Sequence, residues 1–226
     1  MPPVVLVHGW GGSFESTWSS TPLVPLLQDA GREVIGVDLL GHGTAPRPHD
    51  PEAYADLTGR LVEAIGDRQV DAVGFSLGAM TLLRLACRQA GSFRKLVLAG
   101  IGENVFREDD LGTDRIVAAL EGRADSGDVL AQTFRNYADR PGNDLVALAA
   151  CMRRGRVRLT PAEVAPVTCS TLIVIGDQDF AGPGEPLADA LPDARLKVLR
   201  RVDHFATPEA FGFIDATLDF LDAVPV

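Results

Sequence analysis

The chain has only three cysteines, Cys87, Cys151 and Cys169, far apart and odd in number. They form neither a disulfide framework nor a zinc-ligand pattern, and they favour a reducing compartment, the cytoplasm, with the thiols acting as small apolar residues of the interior. No apolar run approaches the 18 residues that a membrane-spanning helix needs, so no membrane partner is expected. Basic residues are in the minority: 21 Lys and Arg against 31 Asp and Glu leave a net charge of −10, which speaks against nucleic acid held through its phosphates. The opening Met1-Pro2-Pro3 followed by Val4 to Val7 has no basic n-region and no long apolar h-region, so a signal peptide is not expected there. There is no internal repeat and no low-complexity tract. What remains is 226 residues, 46% hydrophobic and 23% charged, enough for one globular unit that buries roughly 70–75% of its unfolded surface.

Within that length, short β-branched runs alternate with segments of helical period. Val4 to Val7, Glu33 to Leu39, Val70 to Phe75, Lys95 to Ala99, Leu172 to Ile175 and Leu196 to Leu199 read as strands. Four of them are almost continuously apolar, the pattern of strands covered on both faces. Between them, Leu57, Leu61, Val62 and Ile65 follow a helical spacing, Leu77 to Ala90 is apolar on most faces, Leu187 to Leu191 is short, and Pro208 to Val224 closes the chain. This alternation predicts an α/β fold: a six-stranded, mostly or wholly parallel sheet with helices on both faces. Residues from about 101 to 168 break the rhythm, with Ile116, Val117, Leu120, Val129, Leu130, Phe134, Leu145, Leu148 and Met152 at helical positions and no strand-like run. So long a connection predicts an inserted helical unit, with residues 1–100 and 169–226 forming the core, and insertions at strand ends commonly cover binding sites.

The sharpest local signal is Gly74-Phe75-Ser76-Leu77-Gly78, where the third strand stops and a buried helix starts. A serine at the apex of so tight a turn has strained backbone angles, and glycines two positions away on each side relieve the crowding. Its hydroxyl needs a base, and the chain has four histidines. His8 follows the first strand, and its expected role is to brace the loop; His42 and His49 both precede the serine. His204 follows the sixth strand and so shares the strand-end edge with Ser76, which makes it the candidate base. For the orienting acid, Asp177 and Asp179 both follow the fifth strand, and Glu103 after the fourth is a more remote candidate. Oxyanion donors are expected from the backbone amides of Trp10, in His8-Gly9-Trp10-Gly11-Gly12, and of Leu77. That glycine-rich loop does not match G-x-G-x-x-G and no P-loop lysine follows it, which argues against a nucleotide site.

Taken together, these motifs resemble the α/β-hydrolase family. The resemblance spans nearly the whole chain: His8-Gly9-Trp10-Gly11-Gly12 with Trp18, Val37-Asp38-Leu39-Leu40-Gly41-His42-Gly43, the elbow around Ser76, Gly176-Asp177-Gln178-Asp179, and His204-Phe205 before Pro208-Glu209. It implies Ser76 as nucleophile, His204 as base and Asp179 as acid, three residues after Gly176, with residues 101–168 as a cap and no metal or organic cofactor. The chain starts at what would be the family's third strand, so the six strands are expected to be all parallel. Asp203 stands where the family often has glycine. Serine at the elbow sets the chain apart from haloalkane dehalogenases and epoxide hydrolases, which use aspartate there, and Ala79-Met80 differ from the arginine that menaquinone-pathway synthases tend to carry. The reaction implied is hydrolysis of a carboxylic ester through an acyl-enzyme, with thioester, lactone, C–C bond or amide hydrolysis and perhydrolysis as alternatives, and a non-catalytic binding protein as the reading from a different class.

The substrate partner expected is a small acyl molecule. Phe106, Phe134, Tyr137 and Met152 are candidates for its pocket, or else pack the helical insert itself. Arg153, Arg154, Arg156 and Arg158 form the densest basic cluster of an acidic chain. They are either a solvated helix end, favoured by the helix dipole, or an attractor for an anionic substrate such as a carboxylate, a coenzyme A thioester or an acyl carrier protein. Trp10 in its loop also resembles the pimeloyl-carrier methyl esterases of this family.

Overall fold

The computed structural model describes residues 1–107, 112–125, 127–155 and 158–224. Six strands, β1 Val4–Val7, β2 Val34–Val37, β3 Val70–Phe75, β4 Phe93–Ala99, β5 Ser170–Gly176 and β6 Ala194–Leu199, form one sheet in the order β2-β1-β3-β4-β5-β6. Every pairing is parallel. β1 and β3 are buried along their whole length, as their continuous apolar runs require. β2 and β6 are the edges and stay partly exposed, which is why Arg195 and Lys197 are tolerated in β6.

The alternation of side chains splits the interior into two cores, one on each face. Val4, Leu6, Val73, Phe75, Val97 and Val174 point toward helices α1 (Leu23–Asp29) and α9 (Phe211–Phe220), with Trp18 stacked on Phe213 at 6.0 Å. Val5, Val7, Ala72, Leu96, Leu98 and Ile173 point the other way, toward α2 (Gly59–Ile65), α3 (Leu77–Arg88) and α8 (Glu185–Ala190). Helix α1 carries only Leu23, Val24 and Leu27 as buried residues and has no side-chain cap, so its seven residues gave little periodicity to read.

Between β4 and β5 the chain forms α4 (Thr113–Leu120), α5 (Val129–Ala138), α6 (Leu145–Arg153) and α7 (Pro161–Val164), with no strand among the described residues there. Asp128 and Asp144 cap α5 and α6 by accepting backbone N–H bonds, and Thr160 with Glu163 forms a capping box on α7. Ile116, Val117, Leu120, Phe134 and Leu148 of this segment join the same apolar cluster as Trp10 and Leu77, so the insert packs over the strand ends rather than on a core of its own. Near the N-terminal end of β3, the buried Asp71 is held by Arg32 and Arg94 at 2.5 Å each, which neutralises the one charge inside that strand. Among the described residues no helix is long and apolar enough to cross a membrane.

Candidate active site

All six strands end at one edge, and the candidate side chains gather there. Ser76 lies between β3 and α3 with φ 51° and ψ −110°, a left-handed conformation that a non-glycine residue adopts only when its surroundings enforce it. Two glycines make the turn possible. A Cβ on Gly74 would sit 2.6 Å from the Ala79 nitrogen, and one on Gly78 would sit within 2.5 Å of the His8 carbonyl oxygen. The first turn of α3 therefore rests directly on β3 and the end of β1.

Ser76 Oγ is 2.9 Å from His204 Nε2, and His204 Nδ1 is 2.9 Å from both carboxylate oxygens of Asp179. A carboxylate only accepts, so Nδ1 carries the hydrogen and Nε2 is left to accept from the serine hydroxyl. Asp179 Oδ1 also accepts the Ala181 N–H at 2.8 Å, which locks the carboxylate in place. The imidazole and the carboxylate are shielded: His204 and Asp179 are 4% and 9% exposed. The imidazole lies between Phe75 and Phe180, with ring centroids at 4.9 and 4.1 Å, and Phe205 meets it edge-on at 5.5 Å.

The other two acids have different partners. Asp177 accepts the N–H of Arg201, whose φ is 59°, at 2.7 Å and so caps the turn after β6. Glu103 pairs with Arg107. The remaining histidines are engaged away from Ser76. His8 is fully buried, with Nδ1–H donating to the Gly9 carbonyl at 2.7 Å and Nε2 accepting the Leu39 N–H at 3.0 Å. Burial holds its pKa below the usual imidazole value. His42 donates from Nδ1 to the Leu40 carbonyl at 2.9 Å, and burial, with His8 beside it, pushes its pKa down to about 3. His49 reaches Asp144 at 2.8 Å on the surface.

The Leu77 amide opens α3, at the positive end of the helix, and the Trp10 amide follows β1. No hydrogen bond from either N–H to another group occurs among the described residues, so both can receive a developing negative charge. A pocket opens over them. Trp10, Leu77 and Met80 line it from the core, Ile116, Phe134 and Met152 from the insert. Phe106 and Tyr137, also expected there, are not among its lining residues. Phe106 packs half-buried on the apolar core, and Tyr137 meets Phe205 at a tilt, 4.8 Å between ring centroids, beneath the Arg140 guanidinium.

The arginine cluster divides. Arg153 pairs with Glu121, Arg154 lines the pocket while donating to the Cys151 carbonyl at 2.5 Å, Arg158 is engaged, and Arg156 lies outside the described residues. Arg84 and Arg88 of α3 also line the pocket, Arg88 pairing with Asp56 at 2.7 Å. Sequence reasoning passed over both, although Thr81, Arg84 and Arg88 form the polar stripe of an otherwise apolar helix and all three face the pocket. Phe180 was passed over too, since nothing in the sequence showed that it would pack against the His204 ring.

An all-parallel sheet that presents a serine at a strained strand-to-helix turn, hydrogen-bonded to an imidazole and a carboxylate from later strand ends, defines the hydrolase class of α/β proteins. The chain belongs to the alpha/beta hydrolase fold family, whose profile matches residues 2–141. It is 38% identical to a pimeloyl-[acyl-carrier protein] methyl ester esterase of Neisseria meningitidis serogroup C, over 98% of this chain and 94% of that protein. It is 29% identical to a 2-hydroxy-6-oxo-2,4-heptadienoate hydrolase of Pseudomonas putida, over 98% of this chain and 89% of that one. Among solved structures, the enol-lactonase from Burkholderia xenovorans LB400 superposes with a TM-score of 0.77 at 23% identity, covering 98% of this chain and 91% of that one.

Proposed function

We propose that the protein is a serine hydrolase that cleaves a carboxylic ester through an acyl-enzyme, with Ser76 as nucleophile, His204 as general base and acid, and Asp179 as the acid that orients it. The observation that carries this reading is the unbroken hydrogen-bonded chain from Asp179 through His204 to Ser76, 2.9 Å at each link. Ser76 Oγ attacks the ester carbonyl as its proton passes to Nε2, and the oxyanion is held by the Trp10 and Leu77 amides. The imidazolium, steadied by Asp179, protonates the departing alcohol. Water, deprotonated by the same Nε2, then releases the acid.

The helical segment, residues 101–168, serves as the cap, and Phe134 and Met152 offer the acyl chain an apolar wall. Arg84, Arg88 and Arg154 also line the pocket; Arg88 is paired with Asp56 and Arg84 is engaged, while Arg154 donates to the Cys151 carbonyl and has no carboxylate partner among the described residues. Arg154 suits an acyl substrate with an anionic group remote from the scissile ester, such as a free carboxylate or the phosphate of a carrier-bound thioester arm. A small ester on a carrier-bound acyl chain also agrees with the function named for the Neisseria relative. Free thiols at Cys87, Cys151 and Cys169 fit a cytoplasmic setting.

The test is a panel of methyl and nitrophenyl esters, thioesters and C–C substrates of graded acyl length. The proposal expects ester turnover that disappears in Ser76→Ala. Turnover of C–C substrates alone moves the reading to the chemistry of the Pseudomonas relative, and ester turnover that survives in Ser76→Ala overturns the nucleophile.

A further inference from the structure

In that mechanism the direction of the Trp10 N–H decides how well it meets the oxyanion. The loop that carries it is rich in glycine, at Gly9, Gly11 and Gly12, and has no strand partner beyond Val7. Left to itself, such a segment would sample many orientations. Two sets of contacts fix it. From the core, the Gly9 carbonyl, which shares a peptide plane with the Trp10 N–H, accepts from His8 Nδ1 at 2.7 Å and from the Gly12 N–H at 3.1 Å. From the insert, the Asn143 side chain donates one N–H to the Gly11 carbonyl at 2.9 Å and the other to the Ala138 carbonyl, also at 2.9 Å. Both acceptors are carbonyls, so the amide can satisfy them only with its nitrogen turned toward them. The indole N–H of Trp10 donates to the Leu148 carbonyl of α6 at 3.2 Å. Tyr137 of α5 closes over Gly11, whose φ of 75° a side chain would resist: a Cβ there would lie 3.1 Å from the tyrosine ring.

The geometry points to Asn143 and the Trp10 indole as positioning residues, through which the helical insert holds the oxyanion donor in line. The inference rests on the acyl-transfer reading above and adds a consequence to it. The oxyanion hole is complete only while the insert is seated on the loop, so the segment that covers the acyl chain also makes the site competent. Lifting the insert breaks the Asn143 bond and the indole bond together and frees the Gly11–Gly12 peptide, whose N–H holds the Gly9 carbonyl and through it the Trp10 N–H.

The test compares wild type with Asn143→Leu, which keeps the bulk and removes both donors, and Trp10→Phe, which keeps an aromatic ring and the backbone amide. Each is measured for kcat and KM on a nitrophenyl ester. Each is also measured for affinity toward an alkyl trifluoromethyl ketone, whose carbonyl carbon bonds Ser76 Oγ while its oxygen becomes the anion in the hole. Complete loss of one such donor lowers kcat by about 10²–10³, so partial misalignment should lower it roughly tenfold in each variant. KM should be unchanged in Asn143→Leu, whose side chain lies outside the pocket lining, and in both variants ketone affinity should fall by the same factor as kcat/KM. A merely structural role predicts lower melting temperature without that parallel loss. Unchanged kcat in the folded variants, or a kcat loss with unchanged ketone affinity, overturns the inference; if one variant fails to fold, the other decides. Wild-type turnover and its loss in Ser76→Ala are read in the same series. Absent wild-type turnover removes the hydrolase reading and this inference with it, whereas normal turnover with unaffected variants removes this inference alone.

Discussion

Replacing Asp179 by Asn exchanges one oxygen for an amide nitrogen, and the site dictates which. Oδ1 is bound to the Ala181 N–H at 2.8 Å and must stay an acceptor, so the new NH₂ takes the place of Oδ2, 2.9 Å from His204 Nδ1. That NH₂ can only donate and faces Nδ1 as closely as Oδ1 does, so it opposes a hydrogen on Nδ1 and favours the tautomer protonated at Nε2, facing Ser76. An imidazole protonated there cannot take the serine proton. In a serine protease the same tautomer error costs about 10⁴ in kcat, close to 5.5 kcal/mol of barrier. We expect a loss of that order for Asp179→Asn with little change in melting temperature, because the Ala181 bond survives. Asp177→Asn keeps an acceptor for the Arg201 N–H and should leave kcat alone, while Asp177→Ala should cost about 0.5–2 kcal/mol of stability, as other side-chain caps do. The assay is kcat on a nitrophenyl ester alongside thermal unfolding for all three variants. A larger kcat loss in Asp177→Asn than in Asp179→Asn refutes the tautomer argument, and near-full activity in both returns the acid to Glu103.

Three further outcomes follow from the geometry. His42 is held down to about 3 by burial and its neighbour His8, so the unfolded chain binds a proton that the folded chain refuses between about pH 6.5 and 3. Its contribution to stability is complete above the unfolded value and lost on acidification, at up to about 1.4 kcal/mol per pH unit. Urea midpoints from neutral pH downward should therefore fall more steeply for wild type than for His42→Gln, and parallel curves would count against this. A Gly78→Ala side chain collides with backbone at the end of β1 rather than with a movable side chain, so a loss of about 3 kcal/mol or insoluble protein is expected, against near-neutrality for Gly91→Ala, where nothing lies within 4 Å. Arg154→Gln should lower kcat/KM roughly tenfold for an ester ending in a carboxylate, about the worth of one charge-assisted hydrogen bond, and leave a neutral ester of equal length unchanged. An equal effect on both esters would assign Arg154 to packing.

Strand positions were legible because the sheet interior demands uninterrupted β-branched runs, and β1 and β3 match their sequence boundaries residue for residue. The edge strand β2 is shorter than its apolar run, since pairing stops where Asp38 turns to accept N–H groups from Phe14 and Thr44. Chain order and strand-end position were enough to bring Ser76 and His204 to one edge. The choice between Asp177 and Asp179 rested on the resemblance and on Asp179 lying farther from the strand end, because which side chain turns inward depends on the loop path through Ala181. In the insert, periodicity marks which faces are apolar but not which one overlooks the pocket. Phe134 and Met152 reach it, whereas Tyr137, on the same helix as Phe134, packs on Phe205 and the loop at Gly11. Arg84 and Arg88 were hidden for the opposite reason: in a helix read as buried, the informative residues are the few polar ones.

The most direct test of the account is stoichiometric labelling with an alkyl fluorophosphonate, followed by intact-mass and peptide mapping. Ser76 Oγ bonds phosphorus and fluoride departs only if the serine is activated and the pocket admits the reagent. The account predicts one adduct per chain, located on Ser76, absent in Ser76→Ala and strongly slowed in His204→Ala. A wild-type protein that takes no label, or takes it at a residue other than Ser76, contradicts the central claim.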